Sequence, residues 1–427
     1  MHRSQDPLYR FPWSQTDNPG GWVEVTDDCD LQCRGCYRHR LEGHRPLEKI
    51  KSEILAHKRL RNCDRIAIAG GEPLLYPDIV EVVDYITRQG MKPMMLTNGW
   101  SLSWDKAMAL KEAGLTQFYF HVDSGQNRPG WEGKDESQLN EVRQYFADIC
   151  WELHGVQCGF NTTVFRSTLS YIPDIVRWCR ANVPRVQHLS LIAYRALPVV
   201  EGTEYLVRGK RIDPLSFGTI STKPEMIDIS TDEMQAIVQR EFPGFRACAY
   251  LNGTTAQRTR KFVVMLSLGS EHGVFGSVGG KTVEVDQIVH HMHHGRYSAS
   301  IANPRVGKKV FLLSVIDREL RTALRNYLKS CIRNPLRLFD SMYVQAINLQ
   351  QPNEIVDGAM NLCEGCVNMM LYKGEWINSC RLDEYRILGG PISAVVRGRD
   401  SKEFPVDPVP LAHRPAEALH FSTHPEV

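Results

Sequence analysis

The chain of 427 residues is long enough for one large domain and a smaller one. Its composition, 42% apolar and 23% charged, is that of an ordinary globular protein, and its net charge of +2 gives no reason to expect a nucleic acid partner. No apolar run approaches the roughly 18 residues of a spanning helix, and the first residues lack the apolar core of a secretory signal. We therefore expect a cytoplasmic protein without a transmembrane segment.

From residue 21 to about 194, short β-rich runs alternate with helical patterns. The runs expected to be strands are 22–26, 65–70, 92–98, 117–123, 156–165 and 186–194. The patterns expected to be helices, with apolar residues three or four apart, are 46–60, 78–89, 104–112, 137–153 and 170–179. This alternation predicts an α/β fold with a parallel sheet, a partial (β/α)6 TIM-like barrel whose functional loops follow the strand ends.

The rest of the chain lacks this regular alternation. In 198–350 we expect a linker and a middle α+β region of unknown role, with strands near 261–268 and 281–289 and amphipathic helices near 309–331 and 335–349. These helices would either line an apolar tunnel or pack over the open side of the barrel. The full set of predicted regions is an extension at 1–20, the barrel at 21–197, the middle region at 198–350, a cysteine segment at 351–403 and a flexible tail at 404–427.

Six of the twelve cysteines form two groups of three near opposite ends of the chain. The first trio is Cys29, Cys33 and Cys36, and the second trio is Cys363, Cys366 and Cys380. In a reducing compartment such groups indicate metal binding rather than disulfides. The remaining six are expected to be small buried apolar residues: Cys63, Cys150, Cys158, Cys179, Cys248 and Cys331. The histidines in 290–294 have no carboxylate nearby in sequence, and we expect no metal site there.

The first trio has the spacing C-x3-C-x2-C and follows the first predicted strand. Thiolates suit zinc or an iron–sulfur cluster, but a structural zinc site usually needs four ligands, and three leave one position open. This pattern resembles the radical S-adenosylmethionine (SAM) superfamily. The resemblance implies a [4Fe–4S] cluster whose free iron binds SAM, an electron donor such as flavodoxin or ferredoxin, and a 5′-deoxyadenosyl radical that removes hydrogen from a substrate. Zinc at this trio is the alternative.

The resemblance also implies a set of SAM contacts at the ends of later strands. These contacts are Tyr37, Gly70, Gly71, Glu72, Pro73, Thr97, Asn98, His121, Asp123 and Asn161. The motif Gly70–Pro73 matches the GGEP of the superfamily, which holds the amino group of SAM. Gly35 departs from the pattern, because many members place an aromatic residue directly before the third cysteine. Tyr37, directly after that cysteine, would replace the contact of this aromatic residue. Glu72 could instead begin a helix, and His121 and Asn161 could be polar core residues.

The second trio has the spacing C-x2-C-x13-C and resembles the Twitch-type segment that binds an auxiliary cluster. The resemblance implies a second [4Fe–4S] cluster, with Cys331 or Cys248 as a candidate fourth ligand. A zinc site is the alternative, since C-x2-C hairpins commonly bind zinc. The spacing is similar to that of the GTP cyclase of molybdenum-cofactor synthesis. However, Val367 and its neighbours stand where that enzyme has arginines that bind the nucleotide, so we do not expect GTP as the substrate.

The short stretch before Cys29 and the small number of C-terminal cysteines favour a small-molecule or lipid substrate over a peptide. A peptide-modifying radical SAM enzyme is the first alternative. A non-catalytic iron–sulfur or zinc-binding protein is the alternative from another class.

Overall fold

A computed structural model of the chain describes residues 8–194, 197–198, 203–213, 220–221, 229–298, 304–356 and 359–396. The flexible tail expected at 404–427 lies outside these residues. Within the described part of the chain, no helix has both the length and the apolar character needed to cross a bilayer.

The described residues contain strands and helices in the barrel, in the middle region and in the cysteine segment. The strands are β1 Tyr9–Arg10, β2 Gly20–Thr26, β3 Arg65–Gly70, β4 Lys92–Thr97, β5 Gln117–His121, β6 Gln157–Val164, β7 His188–Ala193, β8 Leu197–Pro198, β9 Thr203–Val207, β10 Lys210–Ile212, β11 Ile220–Ser221, β12 Ala247–Asn252, β13 Arg260–Ser270, β14 Gly273–Val278, β15 Arg305–Val306, β16 Met342–Gln350, β17 Glu354–Val356, β18 Ala359–Asn361, β19 Met369–Tyr372, β20 Glu375–Asn378 and β21 Ile392–Val396. The helices are α1 Leu47–Arg61, α2 Ile79–Arg88, α3 Trp104–Glu112, α4 Asn140–Leu153, α5 Ile172–Ala181, α6 Thr231–Glu241, α7 Gly280–His294, α8 Arg318–Arg333 and α9 Leu382–Ile387.

The six predicted strands and the five predicted helices between them are present. Strands β2 to β7 pair in parallel in chain order, and α1 to α5 lie within a few residues of the expected ranges. The strand residues that face the helices are fully buried, for example Val23, Ile68 and Phe120. The α/β fold with a partial-barrel sheet is therefore confirmed.

The sheet does not end at the sixth strand. β16 pairs in parallel with β7, and β13 and then β12 continue the sheet in antiparallel fashion, with β1 at the far end. The helix predicted at 335–349 is thus wrong, because β16 forms ladders along both of its edges and buries side chains on both faces. The strand predicted at 281–289 is also wrong. These residues belong to α7, which buries Val283 and Gln287, one turn apart.

The two ends of the sheet lie close together, and residues 363–367, with Cys363 and Cys366 of the second trio, cross the gap between them. Cys363 forms a β-bridge with Gly253, directly after β12, while Val367 contacts Gly20, the first residue of β2. Four residues of extended chain reach at most about 14 Å, so the sheet curls around until its ends almost meet. The amide of Asn18 fastens this segment by donating to the carbonyl of Gly365 at 3.0 Å.

The hairpin β19–β20 packs against the inner face of the sheet. Met370 and Ile377 from the hairpin form one apolar cluster with Trp22, Met94 and Tyr119. These barrel residues alternate with the helix-facing residues along their strands, as a sheet with two covered faces requires. The C-terminal cysteine segment therefore fills part of the barrel interior.

Candidate active site between the two cysteine trios

One large cavity, of about 920 Å³, is lined by all six cysteines of the two trios. The first trio follows the last residue of β2, and Cys366 lies beside the first residue of the same strand. A strand of seven residues spans about 20 Å, so the cavity extends between sites separated by roughly that length. Nothing in the sequence pattern indicated that the two trios face the same space.

The loop of the first trio is held by polar contacts from neighbouring loops. The side-chain amide of Asn98 donates to Asp30 at 2.7 Å and lies 3.8 Å from the Cys29 sulfur. The backbone N–H of Arg34 donates to the carbonyl of Gly125 at 2.6 Å, and the N–H of Cys36 donates to Cys33 at 3.2 Å. These bonds hold the loop whose three thiols line the cavity.

Gly70 and Gly71 let the loop after β3 lie directly against the loop of the first trio. The Gly71 N–H donates to the Thr26 carbonyl at 2.7 Å, and a Cβ on Gly71 would collide with the carbonyl oxygens of Asp27 and Asp28. Gly70 has a φ of +129°, a conformation that residues with a side chain rarely adopt. Both glycines line the cavity, so their backbone is also open to a ligand.

The Glu72 carboxylate is fully buried and joins the loops after β3 and β4. It accepts hydrogen bonds from the Thr97 hydroxyl at 2.6 Å, the Asn98 N–H at 2.7 Å and the Leu74 N–H at 2.9 Å. Burial raises its pKa to about 7, although these three bonds act in the opposite direction. Neither Glu72 nor Pro73 lines the cavity, whereas Thr97 and Asn98 do.

His121 lines the cavity at the end of β5, and Asp123 lies behind it. The His121 Nε2 is 2.5 Å from the Asp123 carboxylate, which also accepts from the Thr163 N–H at 3.0 Å. Burial alone would lower the pKa of His121, but the adjacent Asp123 raises it above the ordinary value. Asn161 and Tyr37 line the same cavity, and the guanidinium of Arg38 lies 4.5 Å from the Tyr37 ring centre.

Three polar residues near the first trio were missed at the level of sequence. Arg128 is buried and donates to the Asn98 carbonyl at 2.6 Å, and Asp30 accepts from Ser101 at 2.5 Å. Gln126 lines the cavity, and its buried Nε2 donor has no hydrogen-bond partner among the described residues. A buried donor without a partner is costly, so this atom is suited to a ligand in the cavity. None of the three stands in a recognisable motif, although Asp30 lies within the cysteine loop itself.

The second trio is packed among amide side chains. Asn353, Asn368 and Asn378 line the cavity with it, and the buried Asn353 Oδ1 accepts no hydrogen bond within the described part of the structure. The Asn368 N–H donates to the Cys366 sulfur at 3.4 Å. This part of the cavity therefore offers neutral hydrogen-bonding groups beside three thiols.

Neither candidate fourth ligand lies with the second trio. Cys331 packs in a separate apolar cluster with Phe311 and Tyr327, and Cys248 donates to the Val264 carbonyl at 3.2 Å inside another cluster. Neither lines the cavity. The prediction that one of them completes the second cluster is therefore wrong for this arrangement, because each is enclosed by apolar side chains of the fold.

The donor sets fit an iron–sulfur cluster better than a single zinc ion. Among the described residues, neither trio has its three sulfurs all within 4.8 Å of one another. Zn–S bonds of about 2.3 Å would keep the sulfurs within about 4.6 Å, while a cluster of several irons separates its thiolates further. Burial raises the pKa of the Cys33 thiol. Burial, followed by the nearby Cys380, raises the pKa of the Cys366 thiol to about 11. Both thiols therefore need a cation to ionise.

Comparison with known proteins gives the class of the barrel. Residues 23–152 match the model of the Radical SAM superfamily. The AdoMet-dependent heme synthase of Oleidesulfovibrio alaskensis is 27% identical over 180 residues, which are 40% of this chain and 44% of that protein. The probable GTP 3′,8-cyclase of Methanocaldococcus jannaschii is 25% identical over 170 residues, 37% of this chain and 54% of that protein. The chain thus spans about half the length of these relatives.

Solved structures give weaker similarities. Streptococcus suis SuiB bound to precursor peptide SuiA aligns with a TM-score of 0.37 at 17% identity, over 52% of this chain and 45% of that one. BtrN in complex with AdoMet and 2-DOIA aligns with a TM-score of 0.26 at 21% identity, over 42% of this chain and 71% of that one.

The matched residues, 23–152, form a radical SAM domain. This chain carries that domain and has homologues in the radical SAM superfamily, and the heme synthase and the GTP cyclase among them are enzymes.

Proposed function

We propose that the protein is an enzyme that cleaves SAM reductively and abstracts hydrogen from a small-molecule or lipid substrate held in the cavity. The observation that carries the proposal is the position of the first trio, whose three thiols line a cavity of about 920 Å³. When bound to this trio, a reduced [4Fe–4S] cluster supplies one electron to the sulfonium of SAM, which yields methionine and a 5′-deoxyadenosyl radical. A flavodoxin or ferredoxin is the expected donor.

The residues around the first trio then bind and orient SAM. The backbone of Gly70 and Gly71 is open to the SAM amino group, and Glu72 positions the loops after β3 and β4 from behind them. His121, held by Asp123, together with Asn161 offers polar atoms to the ribose. Tyr37 offers a ring to the adenine. In this proposal, Glu72 and Asp123 act through neighbouring residues rather than by touching SAM.

One wall of the cavity favours a substrate with an apolar body. Phe262, Val264 and Leu266 from β13 and Val344 and Ala346 from β16 line this wall. The amides beside the second trio would bind a neutral polar group of the substrate. Solvent extraction of the anaerobically purified protein, followed by mass spectrometry, tests this: a retained peptide would contradict the substrate class.

The central test is cleavage of SAM by the anaerobically reconstituted protein under strong reductant, measured as 5′-deoxyadenosine. The wild type should form it, and Cys33→Ala should not. Cys331→Ala is the matched control, because this cysteine lies outside the cavity. Absence of 5′-deoxyadenosine from wild-type protein that holds a full first cluster would contradict the proposed function.

We also propose that the second trio binds a second [4Fe–4S] cluster of the Twitch type. Three half-buried thiols line the cavity, and their sulfurs are not all within 4.8 Å of one another, which supports this proposal. Iron and acid-labile sulfide per chain should be about twice as high in the wild type as in the Cys363/Cys366/Cys380→Ala variant. Equal iron in both proteins, with zinc in the wild type, would instead make the second trio a structural zinc site.

A further inference from the structure

The middle region exposes a group of apolar side chains that the fold does not use. They lie on the 3-10 turn Lys308–Val315 and at Ile316 directly after it, on the 3-10 turn Pro335–Phe339, and on the second half of α8. Ile332 is 82% exposed, Phe339 84% and Leu312 74%. We call this group the docking face, and its members are Leu312, Val315, Ile316, Leu328, Ile332, Leu336, Leu338 and Phe339.

The inner side of the same segment is well packed. Leu320, Ala323 and Tyr327 of α8 are buried against β14 and β16, and the Phe311 ring stacks on Tyr327 at 5.3 Å. One side of α8 is therefore buried in the fold, while Leu328 and Ile332 are apolar residues on its exposed side. The two turns adjoin, because the Lys308 ammonium donates to the Leu338 carbonyl. Leu336, Leu338 and Phe339 thus lie near the start of the first turn and the end of α8.

The charged residues of the segment that carries the docking face are mainly basic. Residues 308–340 contain eight Lys or Arg and three Asp or Glu, a net charge of +5 in a chain whose total is +2. The acidic residues are not on the open surface: Asp317 is fully buried and caps α8, while Glu319 and Asp340 are half-buried. The exposed charged residues of the segment are all basic: Lys308, Lys309, Arg318, Arg321, Arg325, Lys329 and Arg333.

We propose that the docking face binds the surface of an anionic lipid bilayer. Large apolar side chains interleaved with Lys and Arg are typical of segments that lie in a membrane interface, since the apolar groups enter the acyl boundary and the cations meet lipid phosphates. A second copy of the chain fits this face poorly, because a two-fold contact would bring the two sets of cations together. The protein would associate peripherally, through a preformed surface.

Docking would bring the bilayer next to the cavity. Val310, on the turn that carries Leu312 and Val315, lines the cavity, as does Val306 just before it. A lipid substrate could then reach the cavity from the membrane. This consequence rests on the proposed function, whereas the docking itself does not.

Sedimentation of the full chain with phosphatidylcholine vesicles, with or without phosphatidylglycerol, tests the proposal. The wild type should bind the anionic vesicles at low salt and dissociate as salt is raised. Ile332→Ser/Phe339→Ser and Lys329→Glu/Arg333→Glu should each weaken binding about tenfold or more. A control, Tyr145→Ser/Ile288→Ser, removes apolar side chains that are exposed elsewhere and should bind as the wild type does.

Thermal unfolding of every variant checks that weaker vesicle binding does not result from loss of the fold. The proposal is overturned if the wild type does not bind anionic vesicles, or if both docking-face variants bind as tightly as the wild type. It is also overturned if sedimentation velocity shows a dimer that the Ile332→Ser/Phe339→Ser variant dissociates, since the face would then be covered by a second copy. SAM cleavage in solution should not change in these variants, so failure of docking and failure of the proposed enzyme activity are distinguishable.

Discussion

The guanidinium of Arg61, the last residue of α1, donates a hydrogen bond to the carbonyl oxygen of Cys366 at 3.1 Å. The same fully buried group donates to the carbonyl of Gln15 at 3.1 Å and lies 3.4 Å from that of Gly20. One cation thus connects the first helix of the barrel, the chain before β2 and the segment of the second trio.

Replacement of this arginine should loosen the second trio. Arg61→Ala leaves three buried carbonyls without this donor, and we expect a loss of about 2–4 kcal/mol in the free energy of unfolding. Iron per chain should fall towards one cluster, because the second trio is no longer held against β2. Chemical denaturation and iron analysis measure the two effects. Lys58→Ala, one turn earlier on the exposed side of α1, should change neither.

The Glu72 carboxylate should matter for stability even in the absence of cofactors. In Glu72→Gln, an amide N–H would face the backbone N–H of Asn98, and we expect a loss of about 1–3 kcal/mol in the free energy of unfolding of the apoprotein. Glu48→Gln, at an exposed position of α1, is the control. If Glu72→Gln unfolds like the wild type but binds SAM weakly, the carboxylate contacts SAM directly and the positioning role is wrong.

The raised pKa of Glu72 also predicts a pH dependence. Glu72 binds its proton more tightly in the folded state than in the unfolded state. Its contribution to stability therefore falls as pH rises from its ordinary pKa, about 4.3, to its folded pKa of about 7. The difference in unfolding free energy between the wild type and Glu72→Gln should therefore shift in favour of the variant across this window. A constant difference from pH 4 to 8 would show that the folded pKa is not raised.

Gly71 should not tolerate even a methyl group. In Gly71→Ala the new Cβ would collide with backbone carbonyl oxygens of the loop that begins the first trio, and backbone atoms cannot rotate away. We expect loss of the first cluster, seen as lower iron per chain and no 5′-deoxyadenosine. Gly244→Ala is the matched control, since its Cβ would meet open space and its φ is not positive. Normal iron in Gly71→Ala would contradict the close packing of the two loops.

Asp123 should control the charge of His121. In Asp123→Asn the burial of His121 is no longer offset by a carboxylate, so the pKa of His121 should fall from above its ordinary value to below it. In the wild type, this pair stabilises the fold through His121 below pH about 6.5, and that contribution is lost as pH rises through the raised pKa. Histidine hydrogen–deuterium exchange, read by mass spectrometry, measures the pKa.

The contribution of Asp123 has the opposite sign. Burial would raise the pKa of Asp123, but His121 lowers it below its ordinary value. The stabilisation by Asp123 is therefore present above the ordinary carboxyl pKa and is lost as pH falls through the lowered pKa. Asp174→Asn, which removes an exposed carboxylate on α5, should leave the pKa of His121 unchanged. An unchanged His121 pKa in Asp123→Asn would show that the two side chains are not paired in solution.

The sequence alone was sufficient for the strand–helix units and for the first trio. The apolar periodicity of β2 to β7 and α1 to α5 is local, and so is the spacing of Cys29, Cys33 and Cys36, so neither required knowledge of distant residues. The Glu72 case is different. Its motif was visible in the sequence, but the three groups that surround its carboxylate come from two loops, and only the folded chain shows where it points.

The tertiary structure decided the rest, because the deciding contacts join residues far apart in the chain. β16 is a strand since β7 and β13 pair with its two edges, whereas its apolar residues also fit a helical pattern. Residues of α7 that favour strands are helical because the packing of Val283 and Gln287 outweighs a weak local preference. The cavity shared by Cys33 and Cys366 exists only because the sheet curls and residues 363–367 close its gap, which no local pattern encodes.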